Sequence, residues 1–205
     1  TNDTYAEFPQ VSAGTVYSCR KNFHILMTDG EWNTVGETGL NTYGNLDGAL
    51  AKPYYDNVSS SLADVIYYYW KEDLRSALPN NVPQSYKVDA DETVTDGTSS
   101  VVLNRTNNPK NDPADWQHMT TFTMGLGLTS SLTDPAWAGS TYAGAYSRIV
   151  TGADTWTDSS STSTKKISDL WHGAINSRGQ FFSTEDPDAM SLAFKSILNS
   201  IDEDV

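Results

Sequence analysis

Cysteine is almost missing from this chain: Cys19 stands alone among 205 residues. No disulfide can close within it, and no multi-cysteine zinc ribbon can form. Positive charge is also scarce, with 13 Lys and Arg against 26 Asp and Glu and a formal net charge of −13. That is the wrong sign for counterion-release binding to phosphate backbones or anionic lipid, which removes nucleic acid as a partner class. Long hydrophobic runs are lacking as well. The longest, Leu62 to Trp70, contains Asp64 and falls far short of the ~20 residues that cross a bilayer. Thr1-Asn2-Asp3-Thr4 offers no start methionine, basic n-region or apolar h-region, so we expect a piece cut from a longer chain. Charged residues make up 19% of the sequence and hydrophobic ones 38%, so Ser, Thr, Asn, Gly and Tyr carry much of the surface, a balance common in secreted proteins. The acid excess suits a bound divalent cation, and solubility explains it equally well.

What is present reads as alternating strands and helices. Residues 1–18 give no period and read as an extended lead-in. Phe23-His24-Ile25-Leu26-Met27 is a short apolar run stopped by Thr28-Asp29-Gly30, the pattern of a buried central strand that ends in a turn. Residues 31–58, rich in Gly, Asn and Tyr, form a long loop over that strand end. Ser59-Ser60-Ser61 offers N-caps to a helix whose one face carries Leu62, Val65, Ile66, Tyr69, Trp70 and Leu74, stopping before Pro79. Residues 79–117 hold four prolines and read as a surface insertion, with Val101-Val102-Leu103 in a small hairpin. From Met119 to Leu128, Phe122, Met124, Leu126 and Leu128 alternate with Thr121, Thr123, Gly125 and Gly127, a second strand whose glycines suit close backbone approach. A long connection over 129–166 follows, of which 154–166 reads as a flexible low-complexity loop.

Ile167, Leu170, Trp171, Ala174 and Ile175 give a short amphipathic helix that Gly179 can close in a left-handed cap. Phe181-Phe182-Ser183 is the third strand. Asp186-Pro187 opens the last helix, with Met190, Ala193, Phe194, Ile197, Leu198 and Ile201 as its stripe. This order implies right-handed crossovers and an α/β fold, a parallel sheet covered by helices.

In open α/β sheets ligands bind outside the carboxyl ends of the strands. Asp29 stands at such an end, where a carboxylate could reach a hard divalent cation directly or through water. The plainer reading of Asp29-Gly30 is a strand-ending turn. Other constellations weigh less. His24, His118 and His172 have no Cys or His at ligand spacing and read as structural. Cys19 with His24 lacks the third, orienting group of a nucleophile and base. Asn41, Tyr43, Asn45 and Asp47 alternate like a calcium loop, but Lys52 occupies the position where its acidic residue belongs, so the segment reads as a loop ordering the mouth of the site. Asp96-Gly-Thr-Ser-Ser100 and Asp158-Ser-Ser-Ser-Thr162 have clustered oxygens without a buried strand before them. Tyr67, Tyr68, Tyr69 and Trp70 read as core and rim packing of a helix.

Three longer stretches carry a resemblance. Cys19 to Asn33, Trp116-Gln-His-Met119 leading into Phe122 to Gly127, and Asp169 to Ser183 with Asp186-Pro187 resemble the von Willebrand factor A region of PilY1/PilC-type proteins, and Leu62 to Pro83 is similar to the same family. These are type IV pilus tip-associated adhesins and biogenesis factors. The resemblance implies a Rossmann-like von Willebrand A sheet, of which residues 1–205 would be the carboxyl-terminal part. It also implies a metal-ion-dependent adhesion site, with three loops giving oxygens to one divalent cation, Mg or Ca, and a ligand carboxylate completing the shell. Asp29 matches the aspartate after the fourth strand of that domain, while its Asp-x-Ser-x-Ser signature and separate threonine have no counterpart in position here. The strand 23–27 would then pair with the missing amino-terminal half of the domain or with another chain, or be partly covered by residues 1–18. The implied role is non-enzymatic: adhesion or protein–protein interaction at a pilus tip or outer bacterial surface, with pilin, minor pilins or a host or surface ligand as partners. A metal-independent structural interaction module is the alternative, and a hydrolase would need a nucleophile and aligned base at the strand ends.

Overall fold

The computed structural model describes residues 5–6, 16–29, 43–127, 130, 132–157 and 163–204. Gly30 to Asn33, Asn41, Leu128 and Asp158 to Thr162, which belong to the motifs named from sequence, lie outside the described residues. In chain order the elements are β1 (Asn22–Thr28), α1 (Leu62–Lys71), β2 (Glu92–Thr95), β3 (Ser100–Leu103), β4 (Met119–Leu126), α2 (Tyr146–Thr151), α3 (Ser163–Asn176), β5 (Phe181–Thr184) and α4 (Pro187–Asp204). This is a mixed α/β arrangement, consistent with a Rossmann-like fold. β1, β4 and β5 form a parallel sheet in that order, with Ile25 opposite Phe122 and Gly125 opposite Ser183. β2 and β3 form the separate hairpin expected within 79–117.

The alternation in β4 decides the layering. Phe122 and Met124 point to one face and pack with Ala193 and Ile197 of α4. Thr121 and Thr123 turn to the other face, where α3 lies: the Thr123 hydroxyl donates to the Leu170 carbonyl (2.8 Å), and the Thr121 N–H donates to Ser177 Oγ (3.1 Å). Both faces of β4 are therefore buried. α4 carries Ala193 and Ile197 inward, but Leu192 and Leu198 are 65% and 56% exposed, so Leu198 leaves the expected stripe.

β4, rather than β1, is the central strand of the described sheet. β1 pairs with β4 on one side, and no other described strand pairs with it. Its residues are half-buried and Met27 is 47% exposed, which corrects the reading of a fully buried central strand. Of the lead-in, Ala6 and Val16 form an isolated antiparallel bridge, and Gln117 donates to the Ser18 carbonyl. These described contacts add no strand to the open side of β1.

α1 begins as its sequence suggests. Ser61 is the N-cap of a capping box with Asp64, a reciprocal arrangement that satisfies two helix-end N–H groups. The helix ends at Lys71, leaving Leu74 outside it and 36% exposed. α1 packs closely on α3, because a Cβ at Gly173 would meet Ile66 Cδ1 at 2.7 Å. The termination of α3 differs from expectation. Arg178, not Gly179, takes the left-handed conformation, at φ 65°. Gly179 is needed for a different reason: a Cβ there would lie 2.0 Å from the Thr121 carbonyl oxygen of β4. Gly127 shows the reverse. It ends β4 at φ 69° with nothing within 4 Å of an added Cβ, so backbone conformation and not close packing explains it. The connection from β4 to α3 contains α2, whose Tyr146, Ile149 and Val150 are buried, and it is shorter than expected, because α3 starts at Ser163, inside the 154–166 stretch that reads as a flexible loop.

Candidate metal centre

Asp29 follows β1 directly and is exposed at the carboxyl end of the parallel sheet, as expected. Among the described residues, the group of side chains that could hold a metal ion forms elsewhere. It consists of Asp47, Asp56 and His172, all buried, with one ligand atom from each lying within 4.8 Å of the others. In sequence His172 reads as structural and Asp47 as part of a loop ordering the mouth of the site, and nothing in the pattern singles out Asp56. The three residues come together because α3 carries His172 past the 43–58 loop while Gly173 lets α1 and α3 approach.

The imidazole is held from several directions. Trp156 stacks on it at a centroid separation of 4.6 Å and an interplanar angle of 16°. The Trp156 indole N–H in turn donates to the Pro53 carbonyl (2.6 Å). His172 Nε2 lies 2.6 Å from the Tyr54 carbonyl oxygen, which can only accept, so Nε2 carries the proton. Nε2 is also 3.5 Å from Asp47 Oδ2, and Nδ1 is 3.4 Å from Asp56 Oδ2. Asn176, one helical turn along α3, donates to Asp47 Oδ2 (2.7 Å), and the Val58 N–H donates to Asp56 Oδ1 (2.8 Å).

Burial dominates the electrostatics here. It pushes the Asp47 carboxyl up to about 7 against the pull of His172, and the Asp169 carboxyl up to about 6. For His172, burial disfavours the charged ring, but the neighbouring Asp56 carboxylate, with the charges of Asp47 and Asp169, outweighs it and raises its pKa.

Two further buried acids are committed to the backbone. Asp169 accepts from the N–H groups of Leu62 (2.8 Å) and Ala63 (3.2 Å) at the start of α1. Asp64 accepts from Leu46 N (2.6 Å) and Ser61 N (3.0 Å), while its own N–H donates to Ser61 Oγ (3.1 Å). The N–H groups of Ser61, Leu62, Ala63 and Asp64, which have no partner inside the helix, thus all meet side-chain oxygens. The cap also ties the 43–58 loop to α1 and α3.

A cleft of about 530 Å³ adjoins the cluster, lined by Lys52, Tyr55, Asp56, Asn57, Val58, Ser59, Thr155 and Trp156. Asp56 and Trp156 belong to both the cleft wall and the surroundings of His172, which places the buried group behind a solvent-facing opening.

The other candidates are occupied by local structure. Asp96 turns the β2–β3 hairpin, with Oδ1 accepting from Thr98 N (2.7 Å) and Ser99 N (2.8 Å) and Oδ2 from the Thr151 hydroxyl (2.6 Å). The Thr151 bond is the largest influence holding the Asp96 carboxyl down to about 2. His118 bridges Asp112 Oδ2 (2.8 Å) and the Trp116 carbonyl (2.7 Å), a structural role as expected. Tyr67 and Trp70 are core residues, and Arg178 lies 4.1 Å from the Tyr54 ring centroid and 4.2 Å from that of Trp70. Cys19 is a free, exposed thiol.

Comparison with known proteins gives a segment-level relationship. No family model matches the chain, and no solved structure matches it. It is 42% identical over 207 residues to the type IV pilus biogenesis factor PilY1 of Pseudomonas aeruginosa strain PAK, covering 98% of this chain and 17% of that protein. The PilY1 of strain UCBPP-PA14 is 40% identical over 206 residues, with 93% of this chain and 16% of the relative covered. The chain therefore spans about a sixth of the length of the curated relatives it matches. Over nearly all of its length, this chain belongs with the PilY1-type sequences of type IV pilus biogenesis factors, matching one segment of them.

Proposed function

We propose that this chain is the carboxyl-terminal part of a von Willebrand A-like adhesion module in a pilus-associated surface protein. The supporting observation is the agreement of the PilY1 relationship with the architecture: a parallel sheet whose β1 has no described partner on one side and whose Asp29 stands exposed at the carboxyl end. In this reading the open side of β1 pairs with a strand from elsewhere in the longer polypeptide or from another chain, since an unpaired row of N–H and C=O groups seeks partners. Asp29 gives one oxygen to a Mg or Ca ion, and loops of the completing segment give the others, as a hard cation with an all-oxygen shell requires. An acidic group on a pilin, minor pilin or host surface takes the remaining coordination position. The role is non-enzymatic and extracellular, at the pilus tip or outer bacterial surface. No helix among the described residues is long and apolar enough to cross a membrane.

The test is Mg and Ca titration of this chain beside a version extended toward the amino terminus, each with and without Asp29→Ala. Binding by the extended protein that disappears on substitution supports the adhesion site. Equal partner binding with and without divalent ion, and no effect of Asp29→Ala, replaces it with a metal-free structural module of the pilus machinery.

A further inference from the structure

We propose that Asp47, Asp56 and His172 form a second, separate metal site, and that it takes a zinc-class transition ion rather than Mg or Ca. The donor set sets the class. Imidazole nitrogen with carboxylate oxygen suits Zn²⁺, whereas Mg²⁺ and Ca²⁺ prefer oxygen alone. Tautomer and distance agree with this. In the neutral ring, donation from Nε2 to the Tyr54 carbonyl leaves Nδ1, 3.4 Å from Asp56 Oδ2, as the nitrogen a metal can take, the outer-shell arrangement that orients metal-binding histidines. The Nδ1 to Asp56 Oδ2 separation of 3.4 Å is longer than an ordinary hydrogen bond. It matches the spacing of about 3.3 Å between neighbouring ligands bound to one tetrahedral ion at about 2.0–2.1 Å.

Hydrogen bonding adds a further observation, because two buried acceptors have no partner. Asp47 Oδ1 and the Oδ1 of Asn176 make no hydrogen bond, although both residues have no exposed surface. Asn176 donates its amide to the other oxygen, Asp47 Oδ2, which leaves Asp47 Oδ1 as the unpaired acceptor within the cluster. A buried carboxylate oxygen of this kind is normally satisfied, and a cation beside Asp47 would satisfy its Oδ1. Charge points the same way: a divalent ion neutralises two carboxylates that are otherwise costly to bury. The cleft bounded by Asp56 and Trp156 supplies an access route. Asp29 has no part in this site.

The experiment strips the purified chain with a chelator, dialyses it against micromolar Zn²⁺ and measures bound metal. One equivalent should remain on the unsubstituted chain and on Asp29→Ala. His172→Gln and Asp56→Asn should each weaken binding by at least the roughly tenfold that loss of a mere outer-shell partner costs. Both variants are checked for folding by circular dichroism. In parallel, Co²⁺ on the unsubstituted chain should give the visible absorption of a low-symmetry nitrogen–oxygen site, a readout that needs no variant. Failure to retain zinc, absence of the cobalt bands, or zinc binding that persists in folded His172→Gln would overturn the proposal. Zinc retention with no Mg or Ca effect at Asp29 would remove the adhesion-site reading while leaving this one standing.

Discussion

Asp169→Ala tests whether the fold around the cluster depends on one carboxylate reaching from α3 to the start of α1. The substitution deletes both acceptors used by Leu62 N–H and Ala63 N–H, and Ala63 has no exposed surface. Hydrogen bonds to a charged group contribute about 1.5–3 kcal/mol each, and a buried donor left without a partner costs about 1–3 kcal/mol. Part of this is offset, because burial already strains the carboxylate and lifts its pKa to about 6. The expected net loss at neutral pH is about 2–4 kcal/mol. Ser61→Ala, which removes the local cap of the same helix, should cost about 1 kcal/mol. Urea unfolding followed by circular dichroism measures both, with an unchanged m-value confirming that stability alone has moved. For a chain of this size the Asp169 variant should melt lower by about 4–16 °C. If the two substitutions cost the same within about 0.5 kcal/mol, the long-range cap is no more than an ordinary surface contact and the reasoning fails.

Gly179→Ala should destabilise by about 3 kcal/mol or more, since the added methyl would overlap the Thr121 carbonyl and push α3 from β4; an unshifted urea midpoint would contradict this. Ile197→Ala, at a fully buried position between α4 and β4, should cost about 2–5 kcal/mol, whereas Leu198→Ala beside it should cost under about 1 kcal/mol. Part of the acid sensitivity should trace to Asp112, the most buried of the carboxyls held below their ordinary range. Burial alone would raise its carboxyl pKa, but the hydrogen bond and charge of His118, with Arg178 and Ala114 N–H, hold it below the ordinary range. Its stabilisation is therefore present above the unfolded value of about 4 and lost as pH falls through the depressed folded value. Asp112→Asn should flatten that acid limb in urea midpoints measured from about pH 5 to 2; an unchanged slope would rule Asp112 out as its source.

Local chemistry was legible in the sequence because it acts over a few residues. The Ser61 cap, the Asp186-Pro187 start of α4 and the two-residue alternation of β4 all follow from backbone hydrogen-bond needs and side-chain period. The PilY1 relationship was also readable, carried by motifs that keep their order along the chain. Tertiary structure alone decided the rest. β1 reads as a buried central strand because the same apolar run serves whether its second neighbour is present or not. Arg178 takes the left-handed position and Gly179 the close contact because β4 lies against that turn, 58 residues from Thr121 along the chain at Gly179. Asp47, Asp56 and His172 carry no ligand spacing, since at least 116 residues separate the histidine from either acid. Only the packing of α3 against α1 and the 43–58 loop brings them within 4.8 Å. A site built from residues so far apart leaves no periodic trace, because its geometry is set by which helices approach one another and not by the order of neighbours in the chain.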